Sequence, residues 1–360
     1  MQKSKVYDYI IVGQGLAGSA LSYQLIKARK KVLVIDDDRP ITSSKVAAGL
    51  YNPVTGRKMV KTWKADLLFP YLITFYKELE QVCSAKFLVE MPIYRPFISY
   101  EEQNEWMGKS ASDEFTPYIK AIHRHRLYSF SNDAYGGLEL ARSGYLQVRS
   151  FLSAYRAYLK SITAIEIEKF NPLDLVLNQE YVSYKTYRAS RIIFCDGLGA
   201  MENAFFDWIP FHPVKGEILL IETDMPLKGI LNRGVFVIPV DEDTFRVGSN
   251  YDNNDMTTEI TSKAREEIIR RLNELVNVPY NIVKQEAGIR PAIKDRRPIL
   301  GLHPHYKTIG VLNGLGAKGV SLAPYFSKHF VEFLENGKEL LPEVNINRYF
   351  SLYYDSVKGQ

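Results

Sequence analysis

Apolar and polar positions fall into blocks along this chain, and the first block is the most informative. Residues 7–12 form a short apolar run that predicts a strand, and Gly13-Gln14-Gly15-Leu16-Ala17-Gly18 follows without a gap. Residues 19–31 carry Ala20, Leu21, Leu25 and Ile26 at helical spacing and close on Arg29-Lys30-Lys31, cations suited to the negative end of a helix dipole. Val32, Leu33, Val34 and Ile35 are apolar without interruption, as in a parallel strand covered on both faces, and the run ends at Asp36. These positions predict one βαβ unit.

Further along, residues 65–81 and 147–161 read as amphipathic helices, and residues 191–195 as a short strand running into Asp196-Gly197-Leu198-Gly199. Between residues 91 and 145, Pro, Gly and aromatics punctuate short runs, which predicts a less regular or antiparallel region. Residues 213–250 are strand-rich, with runs at 216–221, 235–239 and 244–248, and a helix is expected over 262–276. A last strand at 308–312 leads into Asn313-Gly314 and a helix over about 320–335. Nucleotide-type βα elements thus stand at the start, near residue 195 and at the end. The expectation is an α/β fold with a discontinuous Rossmann-type domain in three parts (1–88, 146–212 and 285–360). An α+β domain with a mainly antiparallel sheet is expected from 89–145 and 213–284.

Composition narrows the classes. The 360 residues are 46% apolar and 24% charged, an ordinary globular balance, and 46 Lys+Arg against 41 Asp+Glu is too mild an excess to imply a nucleic-acid or membrane surface. Two cysteines, Cys83 and Cys195, give no disulfide scaffold and fit a reducing compartment. Strand patterning starts behind the first five residues, leaving no room for a signal peptide, and no apolar run approaches the ~20 residues of a membrane span. The expected location is cytoplasmic. G-x-S-x-G, Walker A and H-E-x-x-H patterns are absent. His123 with His125 and His303 with His305 lack third and fourth ligands, so no metal is expected. The small basic clusters at 29–31, 123–126 and 296–297 read as surface or helix ends, and nucleic acid is not the expected partner.

The G-x-G-x-x-G of Gly13, Gly15 and Gly18 sits where the physics of dinucleotide binding requires it. Gly13 permits the tight turn, Gly15 admits a pyrophosphate to the backbone, and Gly18 lets helix and strand pack closely. The helix N-terminus, through Leu16 and Ala17, offers free N–H groups to phosphates, and Asp36, with Asp37 beside it, can accept from ribose hydroxyls. This unit alone does not separate NAD from FAD. A second cluster, Gly314-Leu315-Gly316-Ala317-Lys318-Gly319 before Val320, repeats the string, yet no buried strand ending in an acid follows it. It reads as a helix N-terminus that can stabilise negative charge on a ligand reaching it from the first unit.

These residues, taken with others, carry a resemblance. The chain resembles the D-amino-acid oxidase and glycine oxidase family of FAD-dependent oxidoreductases, through motifs in family order over nearly its whole length. They are the N-terminal βαβ; Ser43-Ser44-Lys45-Val46-Ala47-Ala48-Gly49; Pro213-Val214-Lys215-Gly216-Glu217; Val237-Ile238-Pro239 with Val247-Gly248; Ala287-Gly288-Ile289-Arg290-Pro291; Asp295 with Pro298-Ile299-Leu300-Gly301; and residues 313–324. The resemblance implies an extended FAD, held also by Ser44, Ala47, Ala48, Gly49, Cys195 and Gly197, in the three-part domain. It implies a substrate domain whose sheet covers the flavin. The expected reaction is oxidation of a C–N bond of an amino acid or N-alkyl amino acid by hydride transfer to flavin N5, with oxygen as acceptor.

Arg290 is then the expected grip on a substrate carboxylate, because a planar fork binds a carboxylate bidentately. Pairing with a structural acid such as Asp295 is the competing reading. Lys318 is expected at the flavin's pyrimidine edge, where a cation would stabilise the reduced form. Tyr51 and Tyr251, and in the same way Trp63 and Tyr94, fall in segments that could face the flavin. Glycine oxidase relatives carry a second arginine about where Ala317 stands, a departure that weakens any assignment to glycine itself. The GLGAKG form of the loop is similar to the flavin oxidase module of the bifunctional enzyme that modifies tRNA wobble uridine. An oxidase acting on tRNA, and a flavin-binding protein without catalysis, therefore stand as alternatives.

Overall fold

A computed structural model describes residues 5–56 and 58–358. Two large sheets organise it. In the first, the parallel strands Ile165–Ile167, Val32–Asp36, Lys5–Val12 and Tyr187–Phe194 lie side by side in that order. Ile309–Asn313 continues the parallel set beyond Tyr187–Phe194, and the antiparallel strand Ile299–Leu302 pairs with it. Val32, Leu33, Val34 and Ile35 are all buried, because helices and loops cover both faces of this sheet. The register places Val12 opposite Ile35 and Phe194, and Phe194 opposite Val311. The chain therefore leaves these strands at Gly13, Asp36, Cys195 and Asn313 along one rim, the crevice in which open α/β sheets bind ligands.

Helices Leu16–Lys27 and Gly319–Asn336 pack against each other on this sheet so closely that a Cβ on Gly319 would lie 2.9 Å from Leu16 Cδ1. Both N-termini therefore meet at the rim. The first helix begins at Leu16, three residues earlier than its apolar spacing predicts. Gly15 takes the extended N-cap position, and the last residues of the glycine motif belong to the first turn.

The second sheet runs in the order Asn281–Arg290, Val214–Glu222, Thr244–Gly248, Val235–Pro239, Ile230–Arg233, Ile93–Pro96, Gly137–Leu140, Ile119–His123. Every pairing is antiparallel except that of Ile230–Arg233 with Ile93–Pro96. Helix Ser262–Leu275, capped by Thr261 Oγ1 accepting from Ala264 N at 3.2 Å, buries Ala264, Ile268, Leu272 and Leu275. Ile268, Leu272 and Leu275 pack with Leu219, Ile221, Val235, Val237, Phe245 and Val247, each large side chain contributing roughly 1.5–3 kcal/mol on burial. Alternation sends Gly216, Ile218, Gly248, Gly288 and Arg290 to the opposite face. There a Cβ on Gly288 would come within 3.0 Å of Val46, so this face meets the short helix Ser43–Val46 that follows the first βαβ unit.

Asn281–Arg290 was not legible as a strand, because Lys284, Gln285 and Glu286 interrupt its apolar positions at the sheet edge. The polar and aromatic tail folds as a short turn, Ile346–Tyr349, and a helix, Phe350–Lys358. Among the described residues no helix is long and apolar enough to cross a membrane.

Candidate functional site

The first glycine corner has no room for side chains. Gly13 has φ +97°, and a Cβ there would lie 2.7 Å from the Cys195 carbonyl oxygen; one on Gly18 would lie 1.9 Å from the Gly13 carbonyl oxygen. Leu16 N, at the head of the helix, donates to Ser44 Oγ at 3.2 Å, and a Cβ on Gly15 would stop 3.0 Å from that same oxygen. A hydroxyl and a helix N-terminus thus converge beside bare backbone, as binding of a phosphate requires. Asp36 accepts from Gln14 N at 2.8 Å and from Arg156 Nη2 at 2.7 Å, while Arg156 Nε donates to Gln14 Oε1 at 2.6 Å and the same guanidinium pairs with Asp38. Asp37 is turned away onto Arg39.

Arg156 is the participant that the sequence reading missed. It sits beside Tyr155 in the buried stripe of helix Val148–Ser161 and is itself buried. A cation in an apolar stripe needs an acid, and that was the available signal.

The second corner is built differently. Gly314 has φ +73° and Gly316 φ +54°, and a single tight turn, Gly316–Lys318, precedes the helix that starts at Gly319. Asn313 fastens the turn: its Oδ1 accepts from Gly314 N at 2.8 Å, and its Nδ2 donates to Gly197 O at 2.8 Å and Asp196 Oδ1 at 3.3 Å. Leu315 bridges to Ala292, and Gly316 N donates to Pro291 O at 3.3 Å, tying the corner to the residues just after Arg290. Ala317 and Lys318 are exposed, and Val320 is buried. Partial desolvation, with Arg297 nearby, lowers the Lys318 pKa.

Between the corners, burial pushes the Asp196 carboxyl up to about 7 and holds the Cys195 thiol protonated. Cys195 is a packing residue whose carbonyl defines the Gly13 turn. Gly197 has φ +60° and approaches Pro291. Ala47 and Ala48 are half-buried after helix Ser43–Val46, and Gly49, φ +80°, presses against the Leu146 carbonyl, where a Cβ would lie 1.9 Å away.

Arg290 ends its strand on the second sheet and folds over Gly216, where a Cβ would lie 2.0 Å from Nη2. Its Nη1 donates to Lys215 O at 3.2 Å, its Nη2 donates to Ser249 Oγ at 2.8 Å, and its guanidinium lies 4.5 Å from the ring of Tyr251. Burial lowers its pKa, but arginine stays charged in proteins. Asp295 pairs with Arg348 at 2.9 Å, and among the described residues no carboxylate forms an ion pair with Arg290. This half-buried cation is satisfied by neutral oxygens and an exposed tyrosine, which leaves its charge without a counter-ion.

Two of the expected aromatic positions are corrected. Tyr51 is only 1% exposed: its ring packs on Phe69, and its hydroxyl points at Val89 O and the Gly144 backbone, so it fills core and faces no ligand. Tyr94 belongs to the core under helix Ser262–Leu275, with its hydroxyl on Asp133 at 2.8 Å, across the sheet from Arg290. Trp63 stacks on Phe326 and carries the Arg297 guanidinium at 4.3 Å. Of the histidines, His123 bonds Glu139, and His303 sits among aromatic rings accepting from His305 N and Tyr306 N, with burial lowering its pKa to about 4.

A doubly covered parallel sheet with a dinucleotide-type corner, faced by an antiparallel sheet presenting an arginine without a carboxylate partner, has the architecture of a nucleotide-dependent oxidoreductase. The chain belongs to the DAO family, described as "FAD dependent oxidoreductase", whose profile matches residues 8–333. It is similar to the glycine oxidase of Bacillus subtilis, 22% identical over 88% of this chain and 90% of that protein. It is also similar to the bifunctional protein ThiO/ThiG of Trichormus variabilis, 21% identical over 95% of this chain, and spans only 55% of that protein's length. Among solved structures, an iminodiacetate oxidase from Chelativorans sp. BNC1 matches the fold with a TM-score of 0.78, 19% identity, and coverage of 95% of this chain and 98% of that one. The enzyme is FAD-dependent, and the residues present fit that cofactor: bare glycine backbone, a serine hydroxyl on a helix N-terminus and an acid on the adjoining strand lie on one rim.

Proposed function

We propose that this enzyme oxidises the C–N bond of a small amino acid or N-alkyl amino acid, with the substrate carboxylate on Arg290 and dioxygen as electron acceptor. The carrying observation is that Arg290, half-buried, is packed against Gly216 without a carboxylate partner. The relatives named as oxidases of glycine and iminodiacetate support the substrate class and the acceptor. Gly13, Gly15, Leu16, Ala17, Gly18 and Ser44 would hold the FAD pyrophosphate, and Asp36, oriented by Arg156, the adenosine ribose. Gly314, Leu315, Gly316, Ala317, Lys318, Gly319 and Val320 would close on the flavin half, with Ala47, Ala48, Gly49, Cys195, Asp196 and Gly197 forming the walls between. Bound FAD supplies a hydride acceptor for the substrate carbon that carries nitrogen.

The protein's own contribution is positional. Arg290 fixes the acid end by two parallel N–H donors, Tyr251 closes over the guanidinium and excludes water, and the lysine at 318 raises the positive potential at the second corner. The second sheet is the substrate-side surface in this reading, and the three-part first sheet is the cofactor side. A panel of amino acids and N-alkyl glycines, added anaerobically to the FAD-loaded enzyme and followed by air, tests it. At least one carboxylated amine is expected to bleach the flavin, and air to restore the colour. Arg290→Ala is expected to lose substrate affinity about a hundredfold while keeping its FAD. Unchanged affinity in that variant would refute the role of Arg290.

A further inference from the structure

Residues 251–261 form an exposed segment between strand Thr244–Gly248 and helix Ser262–Leu275, and its attachment to the protein converges on one strand. Lys215 N donates to Asp252 O at 2.8 Å, and Asp252 N donates back to Lys215 O at 3.0 Å. The Lys215 ammonium, on a side chain only 1% exposed, reaches into the segment, donating to Asp255 Oδ2, Glu259 O and Thr257 Oγ1. At the far end Glu217, equally buried, accepts from Thr261 N at 3.0 Å and Thr261 Oγ1 at 2.8 Å. A buried lysine is expensive unless its partners are fixed, and here all three of these partners come from an otherwise exposed segment. The same Lys215 carbonyl that pairs with Asp252 N also accepts Arg290 Nη1, and Tyr251, the residue before Asp252, stacks on that guanidinium.

We propose that residues 251–261 are a cover over the Arg290 subsite and that Lys215 and Asp255 are positioning residues, clasping the cover so that Tyr251 lies on the arginine. The inference rests on the reading of Arg290 as the carboxylate site. Lys215 touches neither substrate nor cofactor in it; the lysine acts through Tyr251. Holding Tyr251 in place pre-organises the arginine for a carboxylate and shields it from water, so the clasp governs substrate affinity more than the rate of the bound complex.

Asp255→Ala tests this on the FAD-loaded enzyme, with acetate as a bare carboxylate probe read through the flavin absorbance. The expected result is acetate binding weakened about tenfold with unchanged FAD content, and faster amide exchange confined to residues 251–261. With an oxidised amino acid, KM should rise by a similar factor while kcat holds, and Asp255→Glu should recover most of the loss. In a Tyr251→Ala background the same Asp255 change should have less than about a twofold further effect, because the clasp acts through that ring. An Asp255→Ala enzyme that binds acetate normally while Arg290→Ala does not would overturn the clasp alone. An equal loss in both backgrounds would likewise overturn transmission through Tyr251. Failure of the wild type to bind acetate would overturn the assignment of Arg290 itself, and this inference with it.

Discussion

Residues 13–18 and 314–319 share the string G-x-G-x-x-G, and the two segments fold into different objects. In the first, Gly18 is indispensable because any Cβ there would run into the Gly13 carbonyl, the helix starts inside the motif, and the adjoining strand delivers Asp36 to the turn. In the second, Gly314 and Gly316 serve positive φ angles, a separate tight turn intervenes before the helix, and among the described residues no later strand brings an acid to the turn. The first corner is a dinucleotide cradle set by close packing. The second is a backbone hinge fastened by Asn313 and tied to the chain beyond Arg290. Repetition of a string therefore does not mean repetition of a site, and the strand that follows distinguishes the two.

Breaking the first corner should have the largest effect. Gly18→Val would drive a side chain into the Gly13 carbonyl 1.9 Å away, so the variant should accumulate little folded, flavin-loaded protein; thermal melting and flavin absorbance read both. Arg156→Ala comes next. It leaves Asp36 and Gln14 without their buried cation and should lower stability by about 3 kcal/mol and weaken FAD binding, measured by denaturant titration and by FAD titration of the apoprotein.

Asp196, between the corners, sharpens the comparison through pH. Its folded-state pKa of about 7 lies above the ordinary aspartate value of 3.8, so the folded apoprotein holds a proton that the unfolded chain releases as pH rises. That contribution is fully present below about pH 4 and is lost as pH climbs through 7. Asp196→Asn should therefore gain about 4 kcal/mol over the wild type between pH 4 and 8, visible in paired denaturation curves; a constant difference would contradict the protonated acid.

The first corner was legible because every element of it is local: strand, three glycines, helix and acid lie within one stretch of chain. Arg290 was legible through the order of motifs, but its lack of a carboxylate partner was not, since only the folded chain shows that Asp295 is taken by Arg348. Tyr51 misled because an aromatic in a cofactor-side segment reads alike whether it fills core or faces a ligand; its fate is decided by Phe69 and Gly144, distant in sequence. Arg156 and Lys215 escaped notice for the same reason, since a buried cation is recognised by its partners and those lie on other elements.

If the two corners serve opposite halves of one FAD, titration of the Gly316→Val apoprotein with ADP and with FAD separates them. ADP reports the first corner alone, whereas FAD needs both. The predicted result is ADP affinity within about twofold of wild type and FAD affinity at least about tenfold weaker. Equal weakening of both ligands, or FAD binding left unchanged, would contradict the division of labour between the corners.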